Sequence, residues 1–271
     1  MKKAGKFFAF LLALSVSLGS LAAVYAADVD DEEEPKVPTG ILELEGYKYP
    51  VLLLIPDSYT RKIGYPMIVT IPSLGQEPKE ALSYWEGMAR RRNMIVVAPM
   101  NLRPDDLPTR VDEWILEIIK DVTLRYRVDK ERIYLFGKDD GAHYAAYLGT
   151  KYPETFAVTA LVSGSWIGTY EELIKPFSSP SQQRPFLIYL REDQEDLYKE
   201  TAKKALEFES KGYSVQVKTV VGEDALARIE FKKQLFELLE TKNQEWRDVV
   251  SESDKTLKQR FRSAVKDFFT V

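Results

Sequence analysis

The chain has 271 residues, of which 45% are hydrophobic and 30% are charged, and it carries a formal net charge of −4. No segment of the sequence is rich enough in lysine and arginine to form a basic surface. We therefore expect no nucleic-acid partner, because binding to phosphates requires such a surface. The absence of cysteine excludes disulfide bonds and a lipid-modified cysteine, so that stability outside the cytoplasm must come from the core.

Residues 1–26, MKKAGKFFAFLLALSVSLGSLAAVYA, place three lysines before a short apolar stretch that ends in small residues. This pattern predicts a Sec-type signal peptide that is cleaved after Ala26, and therefore a secreted or periplasmic protein. The apolar stretch is short for a membrane-spanning helix, so no stable membrane insertion is expected after cleavage; an uncleaved anchor is the alternative. Cleavage would change the net charge from −4 to −7, because the segment contains three lysines and no acidic residue.

Residues 27–38, ADVDDEEEPKVP, form an acidic run that ends in proline. Their composition predicts a flexible linker, since it offers little to bury. Carboxylates in a flexible segment lack the fixed geometry that selective metal binding requires. We therefore expect no metal ion here, and nothing in the sequence implies a cofactor.

The first half of the remaining chain alternates between strand and helix patterns. GILELEGYKYPVLLLIP predicts two antiparallel strands that turn near Gly46, and YPMIVTIP predicts a buried strand. EPKEALSYWEGMARRR predicts a helix with Pro78 in its first turn, and MIVVAP predicts another buried strand. TRVDEWILEIIKDVTLRYR has the apolar spacing of a helix on a sheet, at Val111, Trp114, Ile115, Ile118, Ile119 and Val122.

The second half continues this alternation. Strands are predicted for RIYLF, FAVTALVSG, RPFLIYLR and YSVQVKTVV. Helices are predicted for GAHYAAYLGTKYP, LYKETAKKALEFESKG and ARIEFKKQLFELLETK, each of which follows one of these strands. We therefore expect an α/β domain over residues 39–242 with a mostly parallel sheet, an antiparallel N-terminal hairpin and helices on both faces. Residues 243–271 predict a C-terminal helical extension packed on that domain.

One stretch of this domain carries a specific resemblance. VDKERIYLFGKDDGAHYAAYLGTKYPETFAVTALVSG resembles the nucleophile-elbow region of secreted α/β-hydrolase esterases, including the esterase D and polyhydroxybutyrate-depolymerase-like groups. Its markers are VDKERIYL, the glycines Gly137 and Gly141, KYPETF and the pair Ser163–Gly164. YPMIVTIPSLGQEP is similar to the segment with the His-Gly pair of the oxyanion loop, and YSVQVKTVVGED is similar to the last strand of those enzymes. The resemblance implies an α/β-hydrolase fold with a site at the elbow.

The reactive positions depart from that pattern. Asp139 stands where the resemblance places the serine nucleophile, and Pro72–Ser73 stands where it places the His-Gly pair. The loop after FLIYL offers Asp193 as a possible acid, but the chain reads Gly-Glu-Asp-Ala around Asp224, where the catalytic histidine is expected. A serine or aspartate nucleophile still needs a base, either to accept its proton or to activate water.

The sequence contains a single histidine, His143, four residues after the elbow position. A helical side chain at this offset is directed back along its helix and into the packing against the sheet. We therefore interpret His143 as structural and expect no proton relay through it.

Several polar and aromatic side chains are candidates to line the former site. Asp139 and Asp140 precede a predicted helix, where carboxylates stabilise free N–H groups and the positive end of the dipole. Ser73, Leu74, Asp140 and Trp166 are predicted to line the pocket; the Leu74 amide could still point inward, and Trp166 could instead cover the sheet edge. A metal site at the paired aspartates is not expected, because no second set of ligands is visible.

These features predict an exported, esterase-like protein that lacks the nucleophilic serine and the catalytic histidine. Its expected role is to bind a small molecule, a glycan or a protein at the former cleft. The alternative is an active hydrolase that uses Asp139 as nucleophile with a carboxylate as base. A third option is that the C-terminal helices dominate and that the domain is a docking platform.

Overall fold

The structure, a computed structural model, describes residues 37–107, 110 and 113–220. The chain divides into two units, Met1–Val37 and Pro38–Val271, and all the elements given below lie in the second. The predicted signal peptide, most of the predicted linker, Asp224 and the C-terminal extension lie outside the described residues. None of the helices in the described part is long and apolar enough to cross a membrane.

Eight strands form one sheet. In chain order they are β1 (Gly40–Glu43), β2 (Val51–Ile55), β3 (Tyr65–Ile71), β4 (Ile95–Pro99), β5 (Val128–Lys138), β6 (Val158–Val162), β7 (Phe186–Arg191) and β8 (Val215–Val220). Their order across the sheet is β1-β2-β4-β3-β5-β6-β7-β8. The pairs β1–β2 and β2–β4 are antiparallel and the other pairs are parallel, which confirms the predicted hairpin and the mostly parallel sheet.

Four α-helices connect these strands: α1 (Pro78–Arg92), α2 (Glu113–Arg125), α3 (Asp140–Lys151) and α4 (Glu195–Ser210). Three short 3₁₀ helices, Pro104–Asp106, Glu171–Leu173 and Pro180–Gln182, lie in the loops. α1 begins with proline in its first turn and ends at Arg92; the capping residue Asn93 has a φ of 52°, the left-handed conformation that commonly terminates a helix. In α2, the apolar spacing noted in the sequence buries Trp114, Ile115, Ile118, Ile119 and Val122, while Val111 lies outside the described residues.

The helices lie on both faces of the sheet. Phe136 and Ala160 share a buried apolar cluster with Trp85 of α1. Their neighbours Gly137 and Thr159 point to the opposite face, because successive strand residues alternate. On that face α3 packs directly on the sheet, since a Cβ added at Gly137 would lie 2.7 Å from the Cβ of Ala145. The carboxyl ends of β3, β4, β5, β6 and β7 meet at one edge of the sheet, where ligands bind in this architecture.

Candidate functional site

Asp139 lies on a strained turn between β5 and α3. Its backbone has φ 50° and ψ −119°, a conformation that non-glycine residues rarely adopt and that costs about 1–3 kcal/mol. The Asp139 amide donates to the Val162 carbonyl at 2.9 Å, and the Ala142 amide donates to the Asp139 carbonyl at 3.0 Å. Strand, sharp turn and helix therefore have the geometry of a nucleophile elbow, with a carboxylate at its tip.

Glycines surround this turn because there is no space for a Cβ. A Cβ at Gly137 would lie 2.4 Å from the Gly141 carbonyl oxygen, and one at Gly141 would lie 2.3 Å from the Ile71 carbonyl oxygen. A Cβ at Gly164 would lie 2.6 Å from the Asp139 carbonyl oxygen. The elbow frame is therefore intact, as the glycine spacing in the sequence predicts.

The Asp139 carboxylate contacts the loop after β3. Ser73 Oγ donates to Asp139 Oδ2 at 2.8 Å, and Lys138 Nζ lies 3.9 Å from the same oxygen. The side chain of Asp139 remains 39% exposed. Ser73 is thus a direct partner of the elbow residue, and the two positions where the resemblance expects oxyanion-loop and nucleophile groups hold a hydroxyl–carboxylate pair.

The loop that carries Ser73 is held by side chains that the sequence analysis did not single out. The buried Asn101 amide donates to the Pro72 carbonyl at 2.8 Å, and Gln76 Oε1 accepts from the Ser73 backbone amide at 3.3 Å. Gln76 Nε2 in turn donates to Glu80 Oε2 at 3.0 Å. The i, i+4 spacing of Gln76 and Glu80 at the start of α1, and the position of Asn101 just after β4, are the sequence signals that could have identified them.

His143 lies in α3, four residues after Asp139, and is partly buried. Its Nδ1 is 2.9 Å from the Ser165 carbonyl oxygen. Because a carbonyl can only accept, Nδ1 carries the proton and the ring is held in one orientation. The backbone of Gly168 packs against the same ring, since a Cβ there would lie 2.7 Å from Nδ1. That His143 has only a structural role stays a prediction.

The other candidate residues are dispersed. Asp193 is 69% exposed and accepts from Arg191 Nε at 3.0 Å, so its carboxylate is engaged on the surface. Trp166 is fully buried and stacks on Phe208 with ring centroids 4.1 Å apart, which differs from the prediction that it lines the pocket. Its large apolar ring is accommodated in the aromatic core, where burial stabilises it most.

Leu74 is 40% exposed in the loop after β3, and Asp140 is exposed at the first residue of α3. Neither side chain contributes to the contacts of the Asp139 carboxylate described above. Within the described ranges, no group of three or more His, Asp or Glu side chains could hold a metal ion.

A cleft of about 200 Å³ lies between α1 and the carboxyl ends of β3 and β5. It is lined by Thr70, Ile71, Pro72, Gln76, Glu80, Ala81, Tyr84, Phe136 and Lys138. Burial raises the pKa of Tyr84 far above its ordinary value, so this phenol stays neutral and able to donate. Of the residues that line the cleft, Lys138 lies next to the Asp139 carboxylate, and Gln76 is connected to it only through Ser73.

Comparison with known proteins agrees with this geometry. The family model described as "Esterase PHB depolymerase" matches residues 112–178, which include the elbow. A search of curated proteins finds no matching sequence.

Solved structures show the same fold at low sequence identity. A thermostable esterase is 16% identical with a TM-score of 0.55; the alignment covers 74% of this chain and 62% of that one. An S-formylglutathione hydrolase from Staphylococcus aureus is 12% identical with a TM-score of 0.56, over 75% of this chain and all of that one. Est1E from Butyrivibrio proteoclasticus is 11% identical with a TM-score of 0.53, over 75% and 100% of the two chains.

The protein therefore has the α/β-hydrolase fold and resembles esterases within that fold. Its sheet, its elbow and its family match agree on this class. The chain spans 62% of the thermostable esterase that it matches.

Proposed function

We propose that this protein is an exported, esterase-like α/β-hydrolase-fold protein that binds a ligand at the former active-site cleft without hydrolysing it. The main support is the environment of the elbow carboxylate. Asp139 Oδ2 accepts a hydrogen bond from Ser73, while the only imidazole in the sequence, that of His143, is hydrogen-bonded to the Ser165 carbonyl.

The contacts of Asp139 do not supply a proton acceptor. Within the described part of the chain, its carboxylate contacts the hydroxyl of Ser73 and the ammonium of Lys138. An ammonium group has no lone pair with which to accept a proton, and a serine hydroxyl is itself only weakly basic. A water beside the elbow would therefore lack the general base that turnover of an ester intermediate requires.

The oxyanion position is altered as well. Hydrolases stabilise the developing oxyanion with preorganised backbone N–H groups. Here the Ser73 amide already donates to Gln76 Oε1 at 3.3 Å. A substrate oxygen would have to displace this side chain before the Ser73 amide could donate to it, which leaves the Leu74 amide as the other candidate donor of this loop.

Ester turnover by the purified protein tests the proposal. We expect p-nitrophenyl acetate and butyrate to be hydrolysed at a background rate that is the same in the wild type, in Asp139→Ala and in Asp139→Asn. Asp105→Ala, which changes an exposed carboxylate in the loop after β4, is the matched control. Hydrolysis that Asp139→Ala abolishes and Asp105→Ala preserves would overturn the proposal.

The second candidate function is an active hydrolase with Asp139 as nucleophile. The strained backbone at this residue favours it, because strain of this kind concentrates at functional sites. A carboxylate oxygen would attack the electrophilic carbon and expel the leaving group, and a carboxylate would then activate water. Peptide mass spectrometry after exposure to alkyl halides, epoxides and activated esters would show an adduct on Asp139; its absence with all three classes rules this function out.

Export is supported by the lysine-led apolar segment that ends at Ala26. We expect the mature protein to be found outside the cytoplasm and to begin at Ala27. Cell fractionation and N-terminal sequencing of the native protein provide the measurement. A protein that begins at Met1 in the soluble cytoplasmic fraction would contradict export.

A further inference from the structure

The loops that lead into three of the parallel strands carry an excess of positive charge. Residues 57–64 lead from β2 into β3, residues 86–94 lead from α1 into β4, and residues 121–127 lead from α2 into β5. They contain two, three and two cations, all of them exposed, against one carboxylate each. Their net charge is therefore +4 in a chain whose net charge is −4. We call these three loops the basic edge.

The loops of the basic edge lie side by side. β4, β3 and β5 are parallel neighbours, so their starting ends meet at one edge of the sheet. The loops also contact one another, because Ser58 Oγ donates to Asn93 Oδ1 at 2.6 Å and the Arg127 amide donates to the Tyr59 hydroxyl at 2.7 Å. Segments that are remote in sequence, and none of which is strongly basic alone, thus form one basic surface.

The carboxylates of the basic edge do not neutralise it. Asp57 and Glu86 both pair with Arg90, at 2.5 and 3.1 Å, and Asp121 pairs with Arg125 at 2.8 Å. Within the described ranges, no ion pair is formed by four exposed cations of these loops, Arg61, Lys62, Arg91 and Arg127. Their charges are therefore available to an anionic partner.

Exposed aliphatic side chains lie among these cations. Ile63 follows Lys62 and is 56% exposed, and Leu124 precedes Arg125 and is 77% exposed. Leu124 has the highest exposure among the large hydrophobic residues of the described ranges. Cations beside exposed aliphatic groups are typical of proteins that adsorb to anionic membranes, where the cations contact lipid head groups and the apolar groups enter the boundary of the acyl chains.

The aromatic residues of the basic edge favour a lipid surface over a nucleic acid. Bases of single strands stack on open aromatic rings. Tyr59 and Tyr65 are at most 9% exposed and lie with ring centroids 4.9 Å apart, and Tyr126 packs on Tyr59 at 5.7 Å. These rings are engaged with one another, whereas the exposed apolar surface consists of Ile63 and Leu124, which suit acyl chains better than bases.

The opposite edge, which holds the elbow and the cleft, is acidic. Its loops contain three cations and eleven carboxylates, a net charge of −8, over residues 72–77, 100–107, 138–140, 163–173 and 191–196. Near an anionic surface, this charge distribution orients the molecule with the basic edge toward the surface and the acidic edge away from it. Adsorption would therefore leave the cleft open to solvent.

The chain enters the domain on the basic side. Gly40, the first residue of β1, pairs with Ile55, the last residue of β2, and residues 57–64 follow almost directly. The preceding residues are thus attached to the domain at the basic edge. A signal peptide holds a chain at the membrane until it is cleaved, so the predicted one would present the domain to lipid from this side.

We infer that the basic edge adsorbs to an anionic lipid bilayer, with its four unpaired cations on lipid phosphates and with Ile63 and Leu124 at the boundary of the acyl chains. The contact requires no membrane-spanning segment. It goes beyond the proposed function, because it concerns the edge of the sheet remote from Asp139 and holds whether or not the elbow is catalytic.

Sedimentation with lipid vesicles tests the inference. The chain without residues 1–26, whose apolar stretch would itself bind lipid, is mixed with vesicles of phosphatidylcholine or of equal parts phosphatidylcholine and phosphatidylglycerol. We expect binding to the anionic vesicles to be about tenfold stronger or more, and to weaken as salt is raised. Equal binding to both vesicles would overturn the inference, as would tighter binding to single-stranded or duplex DNA than to the anionic vesicles.

Paired substitutions locate the contact. Arg61→Gln with Lys62→Gln removes two cations, and Ile63→Ser with Leu124→Ser removes the aliphatic groups; each pair is expected to weaken binding about tenfold or more. The matched control is Lys79→Gln with Lys203→Gln, which changes the net charge equally at exposed positions outside the basic edge. All the replaced side chains are exposed, and thermal unfolding verifies that each variant is folded. If the control pair weakened binding as much as Arg61→Gln with Lys62→Gln, the assignment to this edge would be wrong.

A further variant tests the sign of the charge effect. Residues 28–34 contain six carboxylates, which precede the point where the chain joins the basic edge. Replacing them with asparagine and glutamine should strengthen binding to the anionic vesicles, because like charges repel. Weaker binding by this variant would contradict the inference. None of these outcomes depends on ester turnover, so the proposed function and this inference fail separately.

Discussion

Replacing Gly141 by alanine measures how closely α3 approaches the loop after β3. The new Cβ would lie 2.3 Å from the Ile71 carbonyl oxygen and 2.4 Å from the Pro72 carbonyl oxygen. Both atoms belong to the backbone, and the buried Asn101 amide also holds the Pro72 carbonyl, so neither can rotate away. Overpacking costs about 1–3 kcal/mol, and we expect the upper end of that range here.

Helix propensity opposes this cost, because Gly141 lies within α3 and alanine is favoured over glycine in a helix by about 1 kcal/mol. The net loss should therefore be about 2 kcal/mol. In a domain of this size that loss lowers the melting temperature by about 4–8 °C. Differential scanning calorimetry or thermal circular dichroism of the purified variant provides the measurement.

Gly87→Ala is the matched control. Gly87 lies in α1, and the nearest atom to its added Cβ would be Arg91 Nη1 at 3.9 Å. Propensity acts there without a clash, so the melting temperature should rise by about 2–4 °C. The reasoning would be refuted if Gly141→Ala melted at or above the wild-type temperature while Gly87→Ala behaved as expected.

Three further predictions concern side chains. Ser73→Ala removes the 2.8 Å hydrogen bond to the half-exposed Asp139 carboxylate and should cost about 1 kcal/mol in thermal unfolding; a loss above about 3 kcal/mol would contradict this. Trp166→Ala removes a fully buried ring stacked on Phe208 and should lower the urea unfolding free energy by about 3–5 kcal/mol, whereas a loss below about 1 kcal/mol would be incompatible with the burial. Burial raises the pKa of Tyr170 from 10.0 to about 12, so the folded chain holds this proton where the unfolded chain releases it, and stability should fall as the pH rises from 10 toward 12. Tyr170→Phe should make the decline in urea midpoint over that range shallower, and an unchanged slope would refute the assignment.

Much of the fold could be predicted from periodicity. The apolar runs of β3 and β4 are buried along nearly their whole length, and the helical spacing from Trp114 to Val122 coincides with the buried side of α2. Boundaries were less predictable. β5 begins at Val128 and continues to Lys138, beyond the apolar RIYLF core, because Val128 pairs with Tyr65 of β3 and Lys138 pairs with Val162 of β6, and a local pattern does not contain such partners.

The site could be predicted only in outline. The glycines at 137 and 141 identified the elbow, but Trp166 was assigned to the pocket and is buried in the aromatic core. Asp193 follows the end of β7, where the sequence predicts the catalytic acid, but its carboxylate accepts a hydrogen bond from Arg191. Which neighbour a side chain contacts depends on its rotamer and on segments remote in sequence, and no local pattern encodes either.

The sequence by itself determined what the chain lacks: a cysteine, a second histidine and a serine between Gly137 and Gly141. Composition and spacing suffice for such statements, since no folding can add a functional group. Only the tertiary structure decided that Ser73 donates to Asp139, a partner 66 residues away, and that His143 is bonded to Ser165. These contacts exist because β3, β5 and β6 end at the same edge of the sheet, which brings distant loops within hydrogen-bonding distance.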